Sequence, residues 1–179
     1  MKFPSVIILI GFMGAGKTST GKDLAKTLHF DFLDTDLWIE ERSQKTIAEI
    51  FDDDGENFFR AEEREAICWI RDHRKSVVST GGGLWIDEKN REQLLSLGWC
   101  IWLKVSAEEA WKRIKPNYGK RPLLARSNNP LSEIQRMLEK RNPIYQLAHS
   151  SFSTDGKDSK QVAGEILDTL KKNSLIDLT

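Results

Sequence analysis

The sequence predicts an α/β domain in which a central parallel sheet of five strands is covered by helices on both faces, three layers in all. Three observations predict it. Short β-branched and apolar runs alternate with longer helical patterns along the chain. The first run, Val6–Ile10, is apolar at every position, as a strand buried on both faces must be. A glycine-rich octet, Gly11-Phe-Met-Gly-Ala-Gly-Lys-Thr18, follows it without a gap and leads into a helical pattern.

The elements follow in order. Lys17–Leu28 reads as the first helix and Phe30–Asp34 as a second short strand. Two or three helices are expected between about Leu37 and His73. Ser76–Thr80 is a third strand, stopped by Gly81-Gly82-Gly83, and Asp87–Leu97 is helical. Trp99–Leu103 is the fourth strand. Ser106-Ala-Glu-Glu109 reads as a capping box, with Ser106 accepting the Glu109 amide and Glu109 reaching back. Residues 116–129, rich in Pro, Gly, Asn and basic side chains, form a loop that can act as a lid. Asn129-Pro130 starts a helix expected to run to near Pro143. Ser150–Thr154 is the last strand, and Asp158-Ser-Lys-Gln161 caps the final helix. Repeated strand–helix order implies parallel pairing with right-handed crossovers.

Composition narrows the function classes. At 179 residues the chain is expected to be one domain, residues 1–179, with 39% hydrophobic, 30% charged and 9% aromatic residues, which are globular proportions. Lys+Arg and Asp+Glu both number 27, so the formal net charge is zero, and no general grip on nucleic acid or an anionic membrane is expected. Two cysteines, Cys68 and Cys100, are too few for a disulfide scaffold and suggest reduced thiols in a cytoplasmic protein. The five-residue apolar start is too short for a membrane span or a signal peptide. Nothing demands a dimer, so a monomer is expected.

The octet matches G-x-x-x-x-G-K-[ST], the P-loop, in its required strand-to-helix context. Its glycines let successive amides turn inward, and with the helix N-terminus they form an anion site. Lys17 can reach the β- and γ-phosphates, and the Thr18 hydroxyl can ligate Mg²⁺. A nucleoside triphosphate with Mg²⁺ is the expected ligand.

Other motifs admit two readings each. Asp34-Thr-Asp36 ends the second strand, where residues two apart share a face. Both carboxylates can then face the phosphate cradle, one organising Mg²⁺ and the other taking a proton from an acceptor hydroxyl; alternatively Asp36 is a helix N-cap. Three successive glycines at 81–83 exceed what a turn needs and suggest backbone approached closely by a ligand. Arg60 and Glu63 share a helix face, so Arg60 either grips a carboxylate or forms a surface ion pair; Arg141 carries the same ambiguity. Arg121 lies in the lid loop, where it either stabilises transferring charge or is a solvated basic residue. Trp38 and Trp85 belong either to the core or to the border of a substrate pocket.

Taken in order, the octet, Asp34-Thr-Asp36, Gly55-Glu-x-x-Phe-Arg60, Gly81-Gly-Gly83, Arg121-Pro-Leu-Leu124 and Arg141-x-Pro-x-Tyr145 resemble the shikimate kinase family over about residues 6–170. The resemblance implies a three-layer P-loop kinase fold with a mobile lid at about 116–129 and a substrate-binding helical region at about 37–73. It implies transfer of the γ-phosphate of ATP to the 3-hydroxyl of shikimate, with Mg²⁺, on the route to aromatic amino acids. By the same resemblance Asp36 would bind the shikimate hydroxyls and take the proton, Arg60 and Arg141 would clamp the carboxylate, and Gly82 would donate its amide to the acid. Gly14, Ala15, Gly16, Lys17, Thr18 and Ser19 would hold the nucleotide phosphates. Lys17 and Arg121 would stabilise the moving phosphoryl group, and Thr18 with Asp34 would hold the metal. Arg113 would lie against adenine, flanked by Asp155–Ser159, where Gly156-Lys157 stands in place of a frequent arginine. The competing readings are a kinase for gluconate or a nucleoside monophosphate, and a nucleotide-binding protein without turnover.

Overall fold

Val6–Ile10 (β1) runs through the middle of a five-stranded sheet, with all five of its residues buried. The computed structural model describes residues 6–116 and 129–173. Its other strands are β2 (Asp31–Asp34), β3 (Ser76–Ser79), β4 (Trp99–Lys104) and β5 (Ser150–Ser153). The order is β2-β3-β1-β4-β5, and every pairing is parallel. Register aligns the carboxyl ends: Leu9 lies opposite both Ser79 and Ile101, and Asp34 lies opposite Ser79. The P-loop, the end of β2 and the triple glycine therefore emerge at one edge, where open α/β sheets bind ligands.

Helices cover both faces. Lys17–Leu28 (α1) starts inside the octet and packs against the sheet and against the final helix, Ser159–Lys172. Thr35–Ser43 (α2) begins directly at the end of β2. Ile47–Glu49 (α3) opens on a capping box made by Thr46 and Glu49, then runs into a π-helical turn, Ile50–Asp54. Gly55, at φ 82°, breaks that turn and starts Gly55–Arg71 (α4). Glu88–Leu97 (α5), Ala107–Ile114 (α6), Pro130–Tyr145 (α7) and Ser159–Lys172 (α8) complete the set. None of the described helices is long and apolar enough to cross a membrane.

Three local expectations are corrected. The capping box at Ser106 is only half formed: Ser106 Oγ accepts the Glu109 amide, but the Glu109 carboxylate turns to Arg113 Nε at 2.9 Å. The Ser106 amide donates to Asp155 instead. An arginine one turn on offers a charge-assisted bond, which outweighs a neutral amide. Helix α7 continues past Pro143 to Tyr145, because a proline so near the end costs only a hydrogen bond of the last turn. The strand before Asp34 starts at Asp31, since the Asp31 amide is the first to bond the neighbouring segment, at Lys75 O just before β3.

Candidate active site

The cradle is built as the octet requires. Gly14 and Gly16 take φ 78° and 83°, a region closed to ordinary side chains. Gly14 also has no room for one, since a Cβ there would sit 3.0 Å from Ile114 Cγ2 and 3.1 Å from the Ala110 carbonyl. Lys17 is nearly buried, and its Nζ donates to the Gly11 and Phe12 carbonyls, both at 3.0 Å. Its ammonium is thus held over the loop that surrounds the anion site.

Asp34 and Asp36 do reach the cradle, although not by the predicted route. Strand β2 ends at Asp34, so the two residues are not an extended pair, and β3 separates β2 from β1. Asp34 is the N-cap of α2: its Oδ1 accepts the amides of Asp36 and Leu37 at 3.1 and 3.4 Å. The N-cap reading of Asp36 is therefore corrected to Asp34. Asp34 Oδ2 accepts from the Thr18 hydroxyl at 2.9 Å, and Ser79 Oγ lies 3.3 Å from the same hydroxyl. Hydroxyl, carboxylate and hydroxyl form an all-oxygen donor set beside the cradle. That chemistry suits Mg²⁺, which favours hard oxygen ligands and keeps water and phosphate in its shell rather than a dedicated protein cage.

Asp36, in the first turn of α2, lies along the triple glycine. A Cβ at Gly81 would come within 2.5 Å of Asp36 Oδ1, and one at Gly83 within 2.8 Å of Arg60 Nη1. At Gly82 the nearest atom would be at 3.5 Å. None of these three glycines has a positive φ. At 81 and 83 the chain's own carboxylate and guanidinium pack onto the backbone, a reason for glycine beside the ligand approach that the sequence suggested.

Arg60 is held by two carboxylates of its own helix: Glu63 at 2.6 Å and Glu56 at 2.8 Å. Glu63 is 1% exposed, so this is not a solvated surface pair. Burial pushes the Glu63 carboxyl above its ordinary value; Arg60 opposes that push, and Asp36 and Asp87 add to it. For Arg60, burial pulls downward but Glu63 and Glu56 more than restore the cation. Arg141 donates to Gly82 O at 3.4 Å, and Tyr145 Oη donates to the same oxygen at 2.7 Å. The Arg141 guanidinium lies 5.8 Å over the Phe12 ring.

These groups share one cavity. Asp36, Arg60, Glu63, Gly81–Gly83 and Arg141 line a pocket of about 640 Å³, open mouth included, with an apolar wall of Met13, Ile47, Phe51 and Phe59. A second pocket holds Gly14, Gly16, Lys17, Thr18, Ser19, Asp34, Ser79 and Thr80, and Asp36, Gly82 and Met13 belong to both. A third joins Ala15, Gly16, Ser19 and Thr20 to Arg113, Thr154, Lys157, Asp158 and Ser159. The three pockets thus form one track, with Gly16 and Ser19 at the second junction and Asp36, Gly82 and Met13 at the first. A small, partly apolar acid and an elongated polyanion would meet there.

Arg121 lies outside the described residues, as does most of the predicted lid. Neither tryptophan lines the pocket: Trp85 is fully buried in the core and donates to Ile144 O, and Trp38, half-buried, stacks on Trp69 at 5.4 Å. Sequence reasoning missed the apolar wall. Phe51 gave no signal because it sits in a π-helical turn that breaks ordinary helical spacing, and Ile47 gave none because its three-residue helix is too short to show a period. Tyr145 had one available signal, its i,i+4 relation to Arg141. Thr154, which receives Arg113, had none.

Comparison with known proteins agrees with this geometry. A family model described as shikimate kinase matches residues 13–171. The shikimate kinase of Moorella thermoacetica is 42% identical over 94% of this chain and 95% of its own length. That of Persephonella marina is 40% identical over 92% and 98%. Among solved structures, shikimate kinase from Acinetobacter baumannii in complex with shikimate has a TM-score of 0.90 and 34% identity, covering 96% of each chain. A gluconokinase from Sinorhizobium meliloti, at 20% identity and a TM-score of 0.59, shares the fold alone. By sequence and structure together, the chain belongs to the shikimate kinase family.

Proposed function

We propose that this chain transfers the γ-phosphoryl group of ATP to the 3-hydroxyl of shikimate, using Mg²⁺. The observation that carries the reading is Asp36, which lines both the phosphate cradle and the pocket holding Arg60 and Arg141. Arg60, anchored by Glu63, and Arg141, anchored at Gly82, would hold the acid's carboxylate at the far end from the phosphates. That orientation would set the ring hydroxyl at Asp36, whose carboxylate accepts the proton as the oxygen attacks phosphorus. The Gly82 amide would bind the acid. The apolar wall would exclude water, protecting ATP from hydrolysis.

Lys17 would leave its loop carbonyls for the β- and γ-phosphates, with the amides of Gly14, Gly16, Thr18 and Ser19 around them, Ala15 shaping the loop through its bond to Phe12 O, and Arg113 beside the base. Arg121 would close on the transferring group. Thr18, Asp34 and the neighbouring Ser79 hydroxyl would hold Mg²⁺, which when bound neutralises charge between the β- and γ-phosphates. Little covalent chemistry is asked of the protein; positioning and charge neutralisation supply the acceleration. The chain would act in the cytoplasm, a reading supported by its two free cysteines, and as a single-domain monomer. The test is ADP release from Mg-ATP with shikimate, gluconate and nucleoside monophosphates as acceptors. Release that depends on shikimate alone is expected; release without it, or with another acceptor only, overturns the proposal.

A further inference from the structure

The donors of Arg113 point into the protein rather than into the pocket it borders. Nε meets Glu109 at 2.9 Å, and Nη1 meets both Gly14 O and Thr154 Oγ1 at 3.1 Å. Nη2 meets Thr154 O at 2.6 Å. The Thr154 hydroxyl in turn donates to Lys104 O at 3.0 Å, on the last residue of β4. One guanidinium therefore links helix α6, the carboxyl edge of the sheet and the phosphate loop.

The link to Gly14 matters because a peptide unit is rigid. The plane that carries the Gly14 carbonyl also carries the Ala15 amide. Its carbonyl end is held by Arg113, and its amide end donates to Phe12 O at 3.2 Å. Phe12 O also accepts from Lys17. A loop rich in glycine has many backbone conformations, which ordering must remove. Tying its central peptide to a helix and a strand removes that freedom before any anion arrives. Helix α6 packs closely on the same glycine through Ala110 and Ile114, which leaves the loop little room to relax.

We propose that Arg113 is a positioning residue for the phosphate cradle: through Gly14 O it shapes the anion site itself, besides forming a wall of the base pocket. This rests on the nucleotide-binding part of the reading above and not on the identity of the acceptor. A residue that acted only on the base would affect nucleotides and leave phosphate chains alone. A residue that shapes the cradle affects both.

Two ligands separate these roles: magnesium ADP, and magnesium tripolyphosphate, which has no base. Calorimetric titration of the unaltered chain and of Arg113→Met gives four dissociation constants. Both ligands are expected to weaken by at least tenfold, and by factors that agree within about threefold, the scale of one lost charge-assisted hydrogen bond. Thr154→Val, which removes one of the acceptors that orient Arg113, is expected to weaken both in the same direction by less. It also keeps the test available should Arg113→Met fold poorly. ADP weakened with tripolyphosphate unchanged overturns the proposal. So does a fall in melting temperature with both constants unchanged, or an unaltered chain that ignores tripolyphosphate. No acceptor is present, so a failure of the shikimate assignment leaves this result unaffected.

Discussion

Replacing Gly81 with alanine should separate catalysis from folding at a single methyl group. The added Cβ would stand 2.5 Å from Asp36 Oδ1, so the carboxylate must retreat by about 0.9 Å to regain an ordinary contact of 3.4 Å. The backbone itself accepts alanine, because φ at 81 is not positive. The obstructing atom is the end of a side chain, which can turn away, so stability should change by less than about 1 kcal/mol. Function should not be spared. Misplacing a reacting group by about 1 Å costs on the order of 10²-fold, or about 2.7 kcal/mol of barrier. Steady-state assays should therefore show kcat down roughly 100-fold, with ADP affinity and melting temperature near those of the unaltered chain. The neighbouring glycines are internal controls. Gly83→Ala would press on Arg60 Nη1 at 2.8 Å and should raise the KM for the acid more than it lowers kcat. Gly82→Ala meets no atom of the described residues closer than 3.5 Å, so a loss it causes would point to contact with a bound ligand rather than to a clash among those residues. An unchanged kcat for Gly81→Ala, or a loss seen only in nucleotide affinity, would refute this reasoning.

Three further outcomes are expected. Arg60→Lys keeps the charge but loses the planar fork, and should raise the KM for shikimate about tenfold or more in initial-rate assays, with the KM for ATP unchanged. Asp34→Asn keeps a good N-cap for α2, so urea unfolding should shift by less than about 1 kcal/mol, while the Mg²⁺ concentration for half-maximal rate should rise about tenfold or more; an unchanged Mg²⁺ dependence would move the metal elsewhere. Burial pushes the Cys100 thiol from an ordinary 9.0 up to about 12. The unfolded chain therefore loses that proton above pH 9 while the folded chain keeps it, so stability falls as pH rises between 9 and 12. At pH 10 this amounts to about 1.4 kcal/mol, and Cys100→Val should flatten that part of the urea-midpoint profile between pH 8 and 10.

The parts of the fold that were legible are those settled by local chemistry. Val6–Ile10 is apolar throughout because both its faces are covered, and Gly14 and Gly16 mark backbone angles only glycine adopts comfortably. Asp158-Ser-Lys-Gln161 caps the final helix as expected, with Asp158 and Gln161 closing a full capping box. What failed depended on tertiary partners. Glu109 has the right spacing to close a capping box, yet Arg113 is a better partner, and nothing in the spacing reveals that Arg113 is itself held by Thr154, 41 residues away. Asp34 and Asp36 were placed near the phosphates on the argument of an extended pair. They arrive there because Asp34 ends its strand and caps the next helix, leaving Asp36 to face Gly81. The convergence of Asp36, Arg60 and Arg141 was legible only through the combined order of motifs. No pairwise spacing places residues 36, 60 and 141 in one pocket.

In the proposed reading one cavity, shared with the phosphate cradle at Asp36, would hold the acid by its two arginines. A crystal structure of the chain with shikimate and Mg-ADP decides this. The carboxylate should lie between Arg60 and Arg141, with a ring hydroxyl against Asp36 and facing the nucleotide. Shikimate bound elsewhere, or bound with its carboxylate toward Lys17 and its hydroxyls toward the arginines, would contradict it.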